Sequence, residues 1–242
     1  MQTIDTQKIP LQPGSTILDL GCGQGRHIHG LAQDSRLNLV GMDLSMESAR
    51  TSLNGLKTYF PAESEHRGTW LVLRGDCLQL PFGDSSFQAV VCAEVLEHIN
   101  DYERVLSEIH RILVPGGILA VSVPRFWPER ICWSLSEGYR TEPGGHLRIF
   151  KGRDLKRAIS RTGFSCYARH WAHSLHAPYW WLKCLRWSRR ESWWPVRLYH
   201  RFLVWDMLAG PRLTRWLDRL LNPVCGKSLV LYFQRENRPA HG

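Results

Sequence analysis

An apolar run that ends in Asp19-Leu-Gly-Cys-Gly-Gln-Gly25 constrains this chain more than any other feature in it. Thr16 to Leu20 has the length and character of a buried strand, and glycines at 21, 23 and 25 follow at once. Glycine lets the backbone turn tightly and approach a ligand at a distance that a Cβ forbids. Gly25 to Gln33 then reads as a helix whose free N–H groups point into the loop. Strand, glycine turn and helix in that order belong to an α/β sheet that takes its ligand at the carboxyl ends of the strands.

The alternation continues. Asn38 to Asp43 reads as a second strand, with Ser45 as N-cap and Glu47 and Ser48 in the first turn of a helix reaching about Leu56. Thr69 to Gly75 and Phe87 to Ala93 are further strands. Tyr102 to Leu113 is a helix, with Asp101 and Glu103 placed to cap it, and Gly117 to Val123 is a strand after the turn at Pro115-Gly116-Gly117. Beyond Pro124 an irregular region is expected to about Leu147. A helix from Gly152 to Thr162, a strand from Phe164 to Trp171 and a last strand from Ser228 to Phe233 complete the pattern. The expected organisation is one α/β domain from residues 1–173 and 227–236, with 174–226 as a helical insertion.

A dinucleotide-binding turn has a glycine at the sixth position of Gly-x-Gly-x-x-Gly, and here that position is Arg26. Asp43 ends the second strand about twenty residues on, where a carboxylate can accept from both hydroxyls of a ribose. Asp76 ends the third strand, where it can accept from an adenine amino group, with Leu44 and Cys77 flanking the base. The alternative is that Asp43 and Asp76 are only cap or turn residues.

Five segments occur in a telling order: Ile-Leu-Asp-Leu-Gly-Cys-Gly-Gln-Gly, Gly-Met-Asp-Leu-Ser, Asp-Cys-Leu-Gln-Leu-Pro-Phe, Glu-Val-Leu-Glu-His-Ile and Leu-Val-Pro-Gly-Gly. Over about residues 15 to 170 the chain resembles class I S-adenosylmethionine-dependent methyltransferases of the type 11 kind, most similar to the branch of ubiquinone and menaquinone biosynthesis. The resemblance implies a Rossmann-like doubly wound seven-stranded sheet of order 3-2-1-4-5-7-6 with the last strand antiparallel. It implies S-adenosylmethionine as methyl donor, with Asp19 and Gly21 at its methionine end beside Gly23 and Gly25. Asp43 and Leu44 would then take the ribose and base edge, Asp76 and Cys77 the adenine, and the Ala93 carbonyl the methionyl amine.

Methyl transfer from a sulfonium has an excellent leaving group, so the protein mainly aligns the nucleophile, and a hydroxyl acceptor also needs a base. The candidates are Glu94, Glu97 and His98, which share a face if Glu94 onward is helical, and His146 in Gly-Gly-His-Leu-Arg-Ile-Phe. His146 ranks first, because the resembling family often has such a histidine over its acceptor. Glu97 and His98 could equally be a structural pair supporting the cofactor loop. His27 and His29 fall on the first helix and are not expected to be catalytic. Phe126, Trp127, Trp133 and Tyr139 lie where this family builds its acceptor lid, which suits an apolar acceptor, and the alternative is simple core packing of a lid helix.

The formal charge of +9 is concentrated late in the chain. From Ala172 to Lys227 there are ten Lys and Arg residues against Glu191, Asp206 and Asp218, and seven of the eleven tryptophans. Leu213, Trp216, Leu217, Leu220 and Leu221 recur at helical spacing with arginines between them, and Val196 to Leu208 does so more loosely, before a break at Gly210-Pro211. Basic amphipathic helices with tryptophan lie at anionic membrane interfaces, and the alternative is a helical cap packed on the catalytic domain. A lipophilic small-molecule acceptor met at the inner membrane face is the expectation. An RNA methyltransferase, or a scaffold that no longer acts, are the alternatives, because interleaved basic and aromatic residues also suit nucleic acid. Seven scattered cysteines without Cys-x-x-Cys spacing give no disulfide or zinc framework, and no metal is expected. No apolar stretch reaches the ~18 to 20 residues of a span and no leader is evident, so a cytoplasmic protein is expected.

Overall fold

A computed structural model describes residues 2–34, 36–60 and 68–237. Seven strands form one sheet: β1 (Thr16–Leu20), β2 (Asn38–Asp43), β3 (Trp70–Arg74), β4 (Phe87–Ala93), β5 (Leu113–Pro124), β6 (Phe164–Ala172) and β7 (Ser228–Arg235). Their order is β3-β2-β1-β4-β5-β7-β6, parallel except for β7, which runs antiparallel to both neighbours. The strand order reverses between β1 and β4, and there the carboxyl ends open a crevice.

Period-two alternation sends β1 side chains to two cores. Leu18 and Leu20 pack on one face with Val105, Leu106 and Ile109 of helix α3 (Tyr102–Ile112) and Leu155 and Ile159 of α6 (Gly152–Arg161). Ile17 faces the other way, toward Ile28 and Leu31 of α1 (Arg26–Leu31) and Leu56 of α2 (Met46–Tyr59). The start of the chain joins this second core through Ile4 and Ile9, and Asp5 exchanges backbone hydrogen bonds with the Tyr232 hydroxyl. Ser45 caps α2 by accepting from the Ser48 N–H, and Asp101 caps α3 by accepting from the Arg104 N–H.

Two expectations need correction. The region after Pro124 is helical: α4 spans Phe126–Leu135 and α5 spans Glu137–Arg140. Pro128 sits at the third helical position, where no intrahelical N–H is lost. β5 also starts four residues early, because Leu113 pairs with Phe87 before a register shift that absorbs the turn at Gly116, whose φ is +76°.

Between β6 and β7 the chain forms α7 (Ala177–Leu185), α8 (Trp194–Ala209) and α9 (Arg212–Cys225), with short 3-10 turns at Ser174–His176 and Trp187–Arg189. Gly210, at φ +51°, ends α8, and Pro211 precedes α9. α7 packs on α4 and α8, and α9 packs on β6. No helix among the described residues is long and apolar enough to cross a membrane.

Candidate active site

All three loop glycines have positive φ, at +71°, +52° and +95°. At Gly21 a Cβ would come within 2.4 Å of the Val95 Cγ2, and at Gly25 within 2.3 Å of the His29 ring, so packing forbids a side chain at both. Gly23 differs, because its missing Cβ points into open space. That is the cradle into which a ligand can lower itself against bare backbone. Below it Asp19 is fully buried, and one oxygen accepts from the Ile28 N–H at 2.9 Å. Burial pushes its carboxyl up to about 7, with nearby Asp43 adding to the shift and the Ile28 bond opposing it.

Asp43 ties the rim together. Its two oxygens accept from Gly23 N–H and Ser45 N–H, each at 2.8 Å, joining the glycine loop to the start of α2. A carboxylate has about four acceptor positions, so capacity remains for a ligand's hydroxyls. Leu44 beside it is 65% exposed, an apolar surface left uncovered at the crevice. Asp76 accepts from the Leu78 N–H at 2.9 Å, which is a turn role, and Cys77 packs partly into the core below it. Ala93 ends β4 opposite Ser122. Asp19, Gly21, Gly23, Gly25, Asp43, Leu44, Asp76, Cys77 and Ala93 thus come to one edge of the sheet.

Glu94 does not begin a helix. It takes φ +56°, and only a three-residue 3-10 turn, Leu96–His98, follows. The expected common face of Glu94, Glu97 and His98 is therefore lost. The Glu94 carboxylate accepts from the Ser122 hydroxyl at 3.0 Å. Glu97 turns inward to full burial, and neither of its carboxylate oxygens has a hydrogen-bond partner. Burial, aided by the Glu94 charge, raises its carboxyl well above the usual range. His98 meets His146 edge to face with ring centroids 5.0 Å apart. Burial holds the His98 imidazole below its usual value. His146 Nδ1 lies 2.7 Å from Glu129 Oε1, which also accepts from the Tyr139 hydroxyl at 2.8 Å.

A cavity of about 430 Å³ runs from this edge into the helices that precede β7. Arg26 and Glu94 line it beside the sheet, Trp180, Leu203, Val204 and Met207 give it an apolar wall, and Lys227 also lines it, with its ammonium 5.0 Å over the Trp180 ring. His173 and His176 also line it, and each keeps a buried ring nitrogen without a partner. His146 does not border this cavity but sits in the neighbouring cluster with Glu97 and His98. Sequence reasoning passed over Arg26, Glu129, His173, His176 and Lys227 as site residues. Only Arg26, directly after the last loop glycine, carried a signal that could have found it.

The geometry agrees with what the chain is similar to. Residues 18–121 match the family described as a methyltransferase domain. A 24-methylenesterol C-methyltransferase of Arabidopsis thaliana is 31% identical over 66% of this chain and 40% of its own length. A sterol 24-C-methyltransferase of Yarrowia lipolytica is 28% identical over 65% of this chain and 41% of its own. The chain thus spans about two fifths of the length of these curated relatives, and they bear sterol rather than quinone names. A putative methyltransferase from Bacillus halodurans superposes with a TM-score of 0.63 at 16% identity, covering 96% of this chain and 97% of its own, which shows a shared fold. Residues 18–121, under half of the chain, match a methyltransferase domain, and the sheet has the fold of solved methyltransferases.

Proposed function

We propose that this chain transfers a methyl group from S-adenosylmethionine to a lipophilic small molecule, a sterol-like or quinone-precursor-like acceptor met at an anionic membrane surface. The observation that carries the reading is the cavity that joins Arg26 and Glu94, beside the glycine loop, to the apolar wall of α7 and α8. A donor seated at the carboxyl edge and an acceptor seated in that cavity would meet between Ala93 and Glu94. The sterol names of the relatives support an apolar acceptor, and residues 174–226 are read as the insertion that houses it.

The residues present fit the donor. Gly23 opens on empty space, Asp43 keeps acceptor capacity, and Leu44 is left bare beside it. When bound, S-adenosylmethionine supplies a sulfonium methyl that needs only an aligned nucleophile. Asp43 holds the ribose hydroxyls, each charge-assisted bond contributing roughly 1.5 to 3 kcal/mol. Asp76, Leu44 and Cys77 frame the base, and Asp19, Gly21 and the Ala93 carbonyl hold the methionyl end. Glu94, oriented by the Ser122 hydroxyl, accepts a hydrogen bond from an acceptor hydroxyl and takes its proton. Trp180 and the α8 side chains exclude water from the apolar body.

Leu213, Trp216 and Leu220 of α9 are 66%, 58% and 57% exposed, with Arg212, Arg215 and Arg219 exposed among them. Each large apolar side chain buried in lipid contributes about 1.5 to 3 kcal/mol, and each basic one near anionic lipid about 1 kcal/mol. A bare apolar face suits lipid better than RNA, which the same arginines could otherwise serve. The test is sedimentation with anionic vesicles at low salt, alongside equilibrium binding of S-adenosylmethionine to the wild type and to Asp43→Ala. The reading expects vesicle binding, and donor affinity at least tenfold weaker in the variant. Protein that stays in the supernatant ends the membrane claim, and unchanged affinity ends the assigned donor site.

A further inference from the structure

Outside the donor edge, one group of side chains is built around a buried carboxylate without a hydrogen-bond partner. Glu97, His98 and His146 each bring a ligand-competent atom to within 4.8 Å of the others. A buried carboxylate with two unpartnered oxygens is costly, because the native interior normally pairs such groups. Among the described residues no hydrogen bond to either oxygen offsets it, although the Lys227 charge acts in its favour. The histidines show the complementary pattern. His98 Nδ1 faces the Gly145 carbonyl at 3.1 Å, and a carbonyl can only accept, so this nitrogen carries the proton and leaves the Nε2 lone pair free. His146 Nδ1 faces the Glu129 carboxylate, itself buried and held by the Tyr139 hydroxyl, which fixes the same tautomer. Metal-binding histidines have this arrangement: one ring nitrogen anchored to a carbonyl or carboxylate, the other presented.

We propose that Glu97, His98 and His146 bind a divalent first-row metal ion, with Glu129 and the Gly145 carbonyl as the groups that orient the two imidazoles. Two imidazoles and one carboxylate make a set that zinc takes in sites with an open fourth position, and that other divalent ions of the row also accept. At a tetrahedral ion with bonds of ~2.0 Å the ligand atoms stand ~3.3 Å apart, so the three side chains close in by an ångström or so on binding. Gly144, at φ +76°, shapes the turn that brings His146 to the 3-10 turn holding Glu97 and His98. Leu147 N–H pins that turn to the Glu97 carbonyl at 2.9 Å. The carboxylate and both histidines therefore belong to one braced unit. No cysteine takes part, which is why the cysteine spacing carried no sign of it.

The ion would stand next to Glu94, the carboxylate on the cavity wall, and so within reach of an acceptor hydroxyl. There it would favour the deprotonated oxygen, as bound divalent metals do for water. This consequence for the acceptor rests on the methyl-transfer reading, whereas metal binding itself does not.

The experiment uses the full chain, stripped with a chelator, dialysed, and titrated calorimetrically with Zn²⁺, with Co²⁺ as a spectroscopic probe in parallel. One equivalent of Zn²⁺ per chain is expected, together with the visible absorption of low-symmetry, nitrogen- and oxygen-bound Co²⁺. Glu97→Gln and His146→Ala should each lose the tight equivalent. Glu129→Gln, which leaves the ligands in place, should weaken it by about 10- to 100-fold. His110→Ala, at the far end of α3, is the control and should bind as the wild type does. Far-ultraviolet dichroism shows that each variant is folded, and His98→Ala replaces any that is not. No tight equivalent, or one that survives in Glu97→Gln and His146→Ala alike, overturns the proposal. Loss of S-adenosylmethionine binding with Zn²⁺ binding intact would count against the methyl-transfer reading alone.

Discussion

Asp19 is the residue where the site's cost is most visible. Its carboxyl titrates near 7 in the folded protein against 3.8 ordinarily, so the folded state holds the proton more tightly than the unfolded chain. The group's favourable contribution is complete below about pH 3.8 and is lost as pH rises through 7. Asp19→Asn keeps an oxygen for the Ile28 N–H and removes the titration. In urea melts it should be no more stable than the wild type at pH 4 and more stable at pH 8, by about 4 kcal/mol at most. Affinity for the cationic donor should rise with pH between 6 and 8 in the wild type and not in the variant. A stability difference that stays flat with pH would show that the carboxyl is not perturbed. At Gly21 both the +71° φ and the 2.4 Å approach to Val95 oppose a side chain. Gly21→Ala should cost ~1 to 3 kcal/mol and most of the donor affinity. Equilibrium dialysis with labelled S-adenosylmethionine checks the second effect, and it should persist in Gly21→Ala combined with Val95→Ala, because the backbone strain remains.

At the scale of elements, α9 separates a membrane role from a packing role. Leu213→Ser together with Trp216→Ser removes apolar surface that is already exposed, so the melting temperature should hardly move while vesicle binding falls at least tenfold. A large loss of stability instead would show that this face packs on the protein. The strands were legible because their residues obey a short local rule: β2 and β4 fall at the expected residues, with Asp43 and Ala93 at their ends. α4 was not, since Arg125 gives no side-chain cap and Trp127-Pro128 imitates a break. Glu94 was misread for a different reason. A non-glycine residue at positive φ is held there by tertiary context, here the bonds to Ser122, and no local pattern announces it.

For the whole molecule, alternating strands and helices made a doubly wound sheet legible, whereas its strand order was implied only by the family resemblance carried by the motifs over about residues 15 to 170. The acceptor side was not legible. Its cavity is made by residues far apart in sequence, Arg26 and Glu94 against Trp180, Met207 and Lys227, which meet only because α7, α8 and α9 leave the sheet between β6 and β7 and return across its edge. The same holds for Glu129, which reaches His146 only once α4 has formed. Incubation with methyl-labelled S-adenosylmethionine and separate lipid and RNA extracts tests the central claim most directly. The account predicts label in the lipid extract, lost in Asp43→Ala, and label in RNA, or in neither extract, would contradict it.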